Sequence, residues 1–339
     1  MNGYPTQEIV EHDISQGHCM VVCKQKAIVG TFAFIEGRDP TYDVIEDGAW
    51  ADDERPYATL HRIACAPDQH GIFDACIEWS RRHATSLRID THADNQIMLH
   101  LVPKRGFSRC GIIHVADGTP REAFQMLNTG TLCIPLQDYI GDSIIPRYDY
   151  FDAAHQRDHV QSVIDASMAL ARHYEVDVNM VYTIAAYHDL GLSEGRERHH
   201  IVSGEILRGD KELLRWFSKQ QLEVMAQAAE DHRASAGHTP RSIYGLIIAE
   251  ADRDIRPLEI VRRTVQYGLS HFPDLSKEEH WQRVCEHLDE KYSSHGYLRL
   301  FLPESPNADN LTQLRQIIDD RARLRTLFDK YYSELQKNI

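Results

Sequence analysis

Residues 185–191 of the 339-residue chain read AAYHDLG, and this stretch decides how the second half of the chain folds. It closes an apolar stripe at helical spacing, formed by Val181, Ile184, Ala185 and His188. The stripe predicts a helix that buries one face and ends on a histidine and an aspartate. Because ionised side chains are costly to bury in an apolar bundle unless a metal ion compensates them, the pair His188 and Asp189 is a candidate for metal ligation.

Helical spacing continues on both sides of this stretch. Another amphipathic helix is predicted from the apolar stripe Val160, Val163, Ile164, Met168 and Ala171. Further helices are expected at residues 202–207, 221–231, 242–252, 257–268 and 310–335. After about residue 120 the pattern is almost purely helical. An all-α helical bundle is therefore predicted for residues 145–339.

The first part of the chain has a different hydrophobic pattern. Its β-rich runs predict strands at residues 19–23, 27–36, 58–65, 87–92 and 107–115. Helical spacing predicts helices at 71–84 and 95–104. These elements indicate an α+β domain with a mixed sheet and helices at residues 1–127. Gly, Pro and Asn punctuate the stretch that follows, and residues 128–144 are therefore assigned to a linker.

The composition limits the partners and the compartment. The formal net charge of −14 repels a nucleic-acid backbone, so no nucleic-acid partner is expected. The sequence lacks a run of about 18 apolar residues, so no membrane partner is expected. The N-terminus lacks the pattern of a signal peptide. The seven cysteines are scattered without a CxxC motif, which favours a reducing cytoplasm.

The candidate ligands occur in a fixed order along the helical half. His159 lies in RDHVQSV, His188 and Asp189 lie in AAYHDLG, and Asp252 lies in EADRDI. This order resembles the H…HD…D motif of the HD superfamily, whose four ligands lie on separate helices of a bundle. The resemblance covers roughly residues 137–335 and implies a metal-dependent phosphohydrolase, with Asp189 and His188 at the catalytic centre. Imidazole and carboxylate ligands suit Fe, Mn, Co, Ni or Zn.

Two more histidines extend the resemblance to the binuclear branches of the superfamily. His200 precedes Gly204 by four residues in HIVSGEIL, a spacing that these branches share, and His232 in EDHR stands where they place another ligand. The resemblance thus implies six ligands and two metal ions, with Asp189 as the bridge. Two alternatives stay open. His199 competes with His200 as the ligand, and the added histidines could bind substrate phosphate or line the pocket instead.

The ligand set implies a mechanism. A two-metal centre binds a phosphoryl oxygen and lowers the pKa of a water molecule, which then attacks phosphorus in line. Arginines near the ligands could neutralise the phosphates that do not react. Arg233 is preferred because it adjoins His232, and Arg196 and Arg157 are further candidates for binding substrate phosphate.

The N-terminal half resembles the GNAT acetyltransferase fold over residues 1–127. Asn95, in DTHADNQIMLHLVPKRGF, and the pair Gly106-Phe107 stand at the positions of GNAT hallmarks. The resemblance implies that an acyl-CoA site, if one is retained, involves Ile63, Cys65, Gly71 and Asn95.

Three departures from the GNAT pattern argue against acetyl transfer. The pyrophosphate loop, residues 68–73, has only Gly71 where the family has at least two small residues at fixed positions. Val102 stands in place of the tyrosine that protonates the leaving thiolate, and the first hairpin begins after only about 16 residues. The domain is therefore interpreted as degenerate and N-terminally short, and acetyl-CoA is not expected as a cofactor.

Three functions are compatible with these patterns. The leading one is a cytoplasmic enzyme that cleaves a phosphomonoester, phosphodiester or anhydride bond of a small nucleotide-like substrate. One alternative is a nucleotide-sensing or acyl-CoA-binding regulatory protein, and another is a bifunctional protein that also acts as an N-acetyltransferase. Six metal ligands favour hydrolysis, since a pure sensor has less need of them. A homodimer is the oligomer considered.

Overall fold

The computed structural model describes residues 5–151, 156–233 and 238–336. The chain divides into two compact units. The first unit consists of residues 1–146, 176–180 and 208–223, and the second consists of residues 147–175, 181–207 and 224–339. No helix within the described ranges is both long enough and apolar enough to cross a membrane.

A six-stranded mixed sheet forms the centre of the first unit. Its strands are β1 (Cys19–Lys24), β2 (Ala27–Glu36), β3 (Ala58–Cys65), β4 (Ser86–Thr91), β5 (Ser108–His114) and β6 (Pro120–Leu127). Their spatial order is β1-β2-β3-β4-β6-β5, and neighbouring strands run antiparallel except for β3 and β4. The helices that accompany the sheet are α1 (Gln7–Ser15), α2 (Ile72–Arg81), α3 (Gln96–Lys104) and α4 (Ile134–Tyr139).

The core of this unit lies between the sheet and its helices. Helix α2 buries Ile72, Cys76 and Ile77, which share one face at helical spacing. The Trp79 ring lies edge-on to Phe32 and to Phe34 of β2, with centroids 5.7 and 5.1 Å apart. The predicted α+β class is confirmed, because one mixed sheet and packed helices account for this unit.

The strand predicted at 107–115 is not the last one, and this part of the prediction was wrong. Residues 120–127 form β6, which lies between β4 and β5. Residues 117–119 (DGT) form the hairpin turn between β5 and β6, in which the Thr119 amide donates to Asp117 Oδ1 over 2.9 Å. The segment EAFQML is rich in helix-forming residues, but pairing with strands on both sides overrides that local preference.

Two other segments of the first unit carry structure that sequence patterns did not indicate. The short N-terminal stretch forms α1, whose buried Asp13 accepts two hydrogen bonds from Arg62 over 2.7 and 2.9 Å. The expected linker at 128–144 contains α4 and belongs to the same compact unit as the sheet. The domain limits given above stay a prediction.

Helices make up the rest of the chain. They are α5 (Arg157–Ala171), α6 (Val178–Tyr187), α7 (His199–Gly209), α8 (Lys219–Asp231), α9 (Ile243–Ala251), α10 (Pro257–His271), α11 (Lys277–Tyr292), α12 (Asn307–Asp319) and α13 (Arg321–Gln336). Within the second unit, α5 packs on α9, and α10 packs on α11, α12 and α13 around a shared apolar core. The predicted helical bundle is confirmed.

Sequence patterns missed one helix and merged two others. Helix α11 has few apolar residues, yet it begins with a capping box in which Ser276 and Glu279 satisfy each other's backbone amides. The helix expected at 310–335 is divided between α12 and α13 at Asp320, whose carboxylate accepts a hydrogen bond from the Arg323 amide.

A glycine substitution tests the packing of the first unit. Gly48 has φ +154°, and a Cβ placed there would lie 2.0 Å from the carbonyl oxygen of Cys110. Gly37 also has positive φ, +101°, but a Cβ there would meet no atom within 4 Å. We expect Gly48→Ala to lower the free energy of unfolding by at least about 2 kcal/mol more than Gly37→Ala, since only the first adds a clash to the backbone strain. Urea unfolding measures both, and equal losses would contradict the close contact.

Candidate metal centre

Six side chains of the second unit converge from the ends of five helices. His159 lies in the first turn of α5, and His199 is the first residue of α7. The other four follow directly after a helix: His188 and Asp189 after α6, His232 after α8 and Asp252 after α9. Because all six residues lie at helix ends, side chains from five separate helices meet in one small volume.

Four of these side chains form a first group. One ligand atom from each of His159, His188, Asp189 and Asp252 lies within 4.8 Å of the others. His159 Nε2 is 3.3 Å from Asp252 Oδ1 and 3.5 Å from Asp189 Oδ2. His188 Nε2 is 3.4 Å from Asp189 Oδ2 and 3.6 Å from Asp252 Oδ1. The four residues predicted from the H…HD…D order therefore come together.

A second group lies on the other oxygen of Asp189. Asp189 Oδ1 is 3.4 Å from His199 Nε2 and 3.5 Å from His232 Nε2, and these two nitrogens are 3.2 Å apart. Asp189 thus faces one group with Oδ2 and the other with Oδ1. A carboxylate in this position has the geometry of a bridge between two ion sites.

Backbone carbonyls fix which nitrogen of each histidine faces the groups. Nδ1 of His188 lies 2.8 Å from Ala185 O, Nδ1 of His199 lies 2.7 Å from Arg196 O, and Nδ1 of His232 lies 2.6 Å from Ala229 O. A carbonyl oxygen only accepts, so each Nδ1 carries the hydrogen and a neutral ring directs the lone pair of Nε2 inward. This is the arrangement in which histidine binds a metal ion.

The inward-facing lone pairs need a positive charge between them. The nitrogens of His199 and His232 are 3.2 Å apart, and the contacts within both groups span 3.2 to 3.6 Å. Ligand atoms about 2.1 Å from an ion in tetrahedral geometry lie about 3.4 Å from one another. The donor set and its spacing therefore fit a transition-metal ion in either group.

The electrostatics of the first group also favour a cation. Burial opposes the charged form of His159, but hydrogen bonds to Asp189 and Asp252 outweigh it and raise its pKa to about 9. Burial likewise opposes the charge of His188, and the carboxylate of Asp189 raises its pKa well above the ordinary value. Burial opposes ionisation of Asp189, but His188 lowers the pKa of that carboxyl far below its usual range. Protons and metal ions compete for the same nitrogens.

The structure brings His199 into the cluster and leaves His200 outside it, which corrects the choice made from the glycine spacing. A Cβ on Gly204 would lie 2.8 Å from Glu230 Cγ, so this glycine permits close packing against α8 and does not mark a ligand. Gly191, in the HDLG stretch, is the glycine whose position bears on which histidine joins the cluster. A Cβ there would lie 2.0 Å from His199 O, so this glycine lets the start of α7 approach. Burial and the neighbouring His199 lower the pKa of His200 to about 4.

A cavity of about 890 Å³ opens onto the cluster. Of the three arginines predicted to bind phosphate, Arg233 and Arg196 line it and Arg157 does not. Arg157 instead pairs with Asp149 through two contacts of 2.5 Å and is half exposed. Three further basic side chains line the cavity, namely Arg253, Arg263 and Lys291. The last two lie in α10 and α11, outside every motif in the sequence.

The residues predicted for acyl-CoA have ordinary structural roles in the first unit. Asn95 caps α3, its side chain accepting from the Met98 amide over 3.2 Å. Gly71 precedes α2 with φ +76°, Ile63 is half-buried in β3, and Cys65 ends that strand exposed. Val102, which replaces the expected tyrosine, is fully buried. A site for acyl-CoA on these residues stays a prediction.

Comparison with known proteins identifies the helical half. Residues 157–256 match the HD domain model. HD domains bind divalent metals, and this match supports a metal-dependent hydrolase. No curated protein matches the chain.

Several solved structures are similar to parts of the chain. A GNAT-family acetyltransferase from Streptococcus agalactiae is 32% identical over 37% of this chain and 74% of its own, with a TM-score of 0.34. A predicted HD superfamily hydrolase from an uncultured Thermotogales bacterium is 21% identical over 44% of this chain and 83% of its own, with a TM-score of 0.32. Bacillus subtilis YpgQ in complex with ADP is 15% identical over 61% of this chain and 96% of its own, with a TM-score of 0.34. The chain thus joins an HD domain at residues 157–256 to an N-terminal domain of GNAT-like fold.

Proposed function

We propose that the helical half is a phosphohydrolase that uses two divalent transition-metal ions to cleave an ester or anhydride bond to phosphorus in a nucleotide-like substrate. The position of Asp189 carries the proposal. Its two oxygens lie 3.4 to 3.5 Å from histidine nitrogens of two separate groups, so one carboxylate can serve both ions. Fe, Mn, Co, Ni and Zn all suit such imidazole and carboxylate ligands.

Each group would hold one ion through side chains already oriented for it. His159, His188, Asp252 and Oδ2 of Asp189 would hold the first, and His199, His232 and Oδ1 of Asp189 would hold the second. Ions bound there would supply Lewis-acid chemistry, polarising a phosphoryl oxygen and lowering the pKa of a water molecule. The second group offers three ligand atoms, as catalytic metal sites that keep a position for substrate or water do, and its three residues line the cavity.

The cavity supports a small phosphorylated substrate. Its volume of about 890 Å³ falls in the range of pockets that take ligands of nucleotide size. Arg233 Nη1 donates to the carbonyl of Glu197 over 2.6 Å, and this contact holds the guanidinium at the cavity wall. Ile255, Tyr292 and Leu298 add an apolar part to the same wall, suited to the non-phosphate part of a nucleotide.

The main competing hypothesis is a regulatory protein whose helical half binds a nucleotide without cleaving it. Both hypotheses need the cavity, but only hydrolysis needs a second ion beside the first. The metal content and the turnover of the purified protein therefore separate the two functions.

Substitution of two adjacent histidines tests the ligand set. We expect wild-type protein loaded with Mn²⁺ and desalted to keep two ions per chain. His199→Ala should keep only one, because the second group loses one of its three ligand atoms, whereas His200→Ala should keep both. The affinity of the second site should fall by at least about 10 to 100-fold. Plasma mass spectrometry measures the ratio, and loss of an ion from His200→Ala alone would restore the assignment made from the glycine spacing.

Substitution of the shared carboxylate tests the activity. Asp189→Asn keeps the size of the side chain but removes the negative charge that both groups share, so phosphate release should fall by more than about 100-fold. Asp158→Asn, an exposed carboxylate beside His159, is the matched control and should leave the rate unchanged. Phosphate release from a set of nucleotides measures both. Equal rates for wild type and Asp189→Asn would place the activity elsewhere.

Acetyl-CoA tests the bifunctional alternative. We expect weak or no binding and no acetyl transfer to amines, because the loop before α2 carries Asp68 near the place of the pyrophosphate and the chain is acidic overall. Val102 also cannot supply the proton that a tyrosine would give to the leaving thiolate. Calorimetry with acetyl-CoA measures the affinity. Micromolar binding would revive this alternative, and the exposed His100 would then be the first residue to replace.

A further inference from the structure

Basic side chains outnumber carboxylates around the cavity. Five line it, namely Arg196, Arg233, Arg253, Arg263 and Lys291, against the carboxylates Asp189, Asp252 and Asp254. Two of those carboxylates belong to the metal cluster, and Asp254 is held by Arg256 over 2.5 Å. In a chain with a net charge of −14, a wall of this kind is a local reversal of charge that favours an anion.

Arg253 is almost completely buried at this wall. Its side chain is only 8% exposed, and Nη1 lies 3.1 Å from Glu250 Oε1. Its Nε has no hydrogen-bond partner in the described part of the chain. A buried guanidinium with one carboxylate partner and an unpaired Nε keeps an uncompensated share of its positive charge at this wall.

Lys291 lines the same cavity as Arg253. Burial lowers the pKa of the Lys291 ammonium, Asp252 raises it, and Arg253 lowers it again. Between residues 5 and 336, as far as the structure describes them, Lys291 makes no ion pair. Two cations held near each other at a cavity wall gain stability when an anion binds between them.

Arg263 supplies a third positive charge and is only partly neutralised. Its Nε lies 3.2 Å from Glu259 Oε1, and Arg262 contacts the same oxygen over 3.4 Å. One carboxylate therefore serves two guanidinium groups. Arg263 lines the cavity, and Arg262 does not.

Arg253 was already among the arginines near the ligands that the sequence offered for phosphate, whereas Arg263 and Lys291 were not. Arg263 and Lys291 lie on α10 and α11, beyond the matched residues 157–256. We propose that Arg253, Arg263 and Lys291 form a second anion subsite, which holds a phosphoryl group other than the one at the metal cluster. The substrate then carries at least two linked phosphoryl groups, as a nucleoside diphosphate or triphosphate does. The identity of the substrate rests on the proposed hydrolysis, whereas the subsite itself does not.

Binding of phosphonates tests the subsite without turnover. Methylenediphosphonate has two phosphonate groups and a bridge that water does not cleave, and methylphosphonate has one group. We expect the Mn²⁺-loaded full chain to bind the diphosphonate at least about tenfold more tightly, as one additional charge-assisted contact would give. Calorimetry measures both affinities.

Matched variants test whether the tighter binding of the diphosphonate depends on the basic side chains that line the cavity. Lys291→Gln should weaken diphosphonate binding about tenfold and leave methylphosphonate binding unchanged. Lys330→Gln is the control. Lys330 Nζ lies 5.4 Å from the ring centroid of Tyr331, much as Lys291 Nζ lies 5.2 Å from that of Tyr292. Lys330 does not line the cavity. Arg263→Gln with Arg262→Gln as its control gives a second pair on α10. Thermal unfolding verifies that each variant is folded.

The outcomes separate the subsite from the hydrolysis. Equal affinity of wild type for the two phosphonates, no binding of either, or equal loss of both in Lys291→Gln would overturn the second subsite. Retained affinity in both Lys291→Gln and Arg263→Gln would overturn it as well. If the variants behave as expected but no nucleotide releases phosphate, the subsite stands and the proposed hydrolysis fails.

Discussion

The buried carboxylate of Asp189 is the constraint on which the site depends. Asp189 is only 4% exposed, and such a group is stable inside a helical bundle only when positive charge surrounds it. Four histidines provide that setting, two facing each oxygen. The bundle must therefore bring the ends of α5, α7 and α8 to one point beside the end of α6. A helix that shifted by one residue would turn its histidine away and leave the carboxylate uncompensated.

Unused carbonyls at helix ends help to orient the histidines. The last carbonyl groups of a helix have no partner within the helix. Ala185 near the end of α6 and Ala229 near the end of α8 use theirs to accept from Nδ1 of the histidine three residues later. The same contact that completes the helix end thus fixes the tautomer and directs Nε2 toward Asp189. In some metal sites a carboxylate side chain accepts the hydrogen bond from the second ring nitrogen of a histidine. At these histidines a backbone carbonyl accepts it, so no residue type in the sequence indicates the contact.

The sequence predicts those parts of the site that depend on the types of side chain. It does not predict those parts that depend on how closely two backbone segments pack. The convergence of His159, His188, Asp189 and Asp252 could be predicted from their order, since each is a ligand type at the end of a helical stripe. The choice between His199 and His200 depended on the direction of the first turn of α7, which packing sets. In the sheet domain the same limit applied to β6, whose residues favour helix locally and form a strand because β4 and β5 pair with it.

The clustered side chains and the rest of the cavity wall come from different parts of the chain. The six clustered side chains lie within residues 157–256, at the ends of helices that meet at Asp189. Helices α10 and α11 contribute no side chain to the cluster and pack in an apolar core that they share with α12 and α13, whereas Arg263 and Lys291 line the cavity. Lys291 stands on the most polar of these helices, beside a wall that includes Tyr292 and Leu298. Substitutions on these two helices can therefore change the cavity wall while the six converging side chains and their carbonyl partners stay in place.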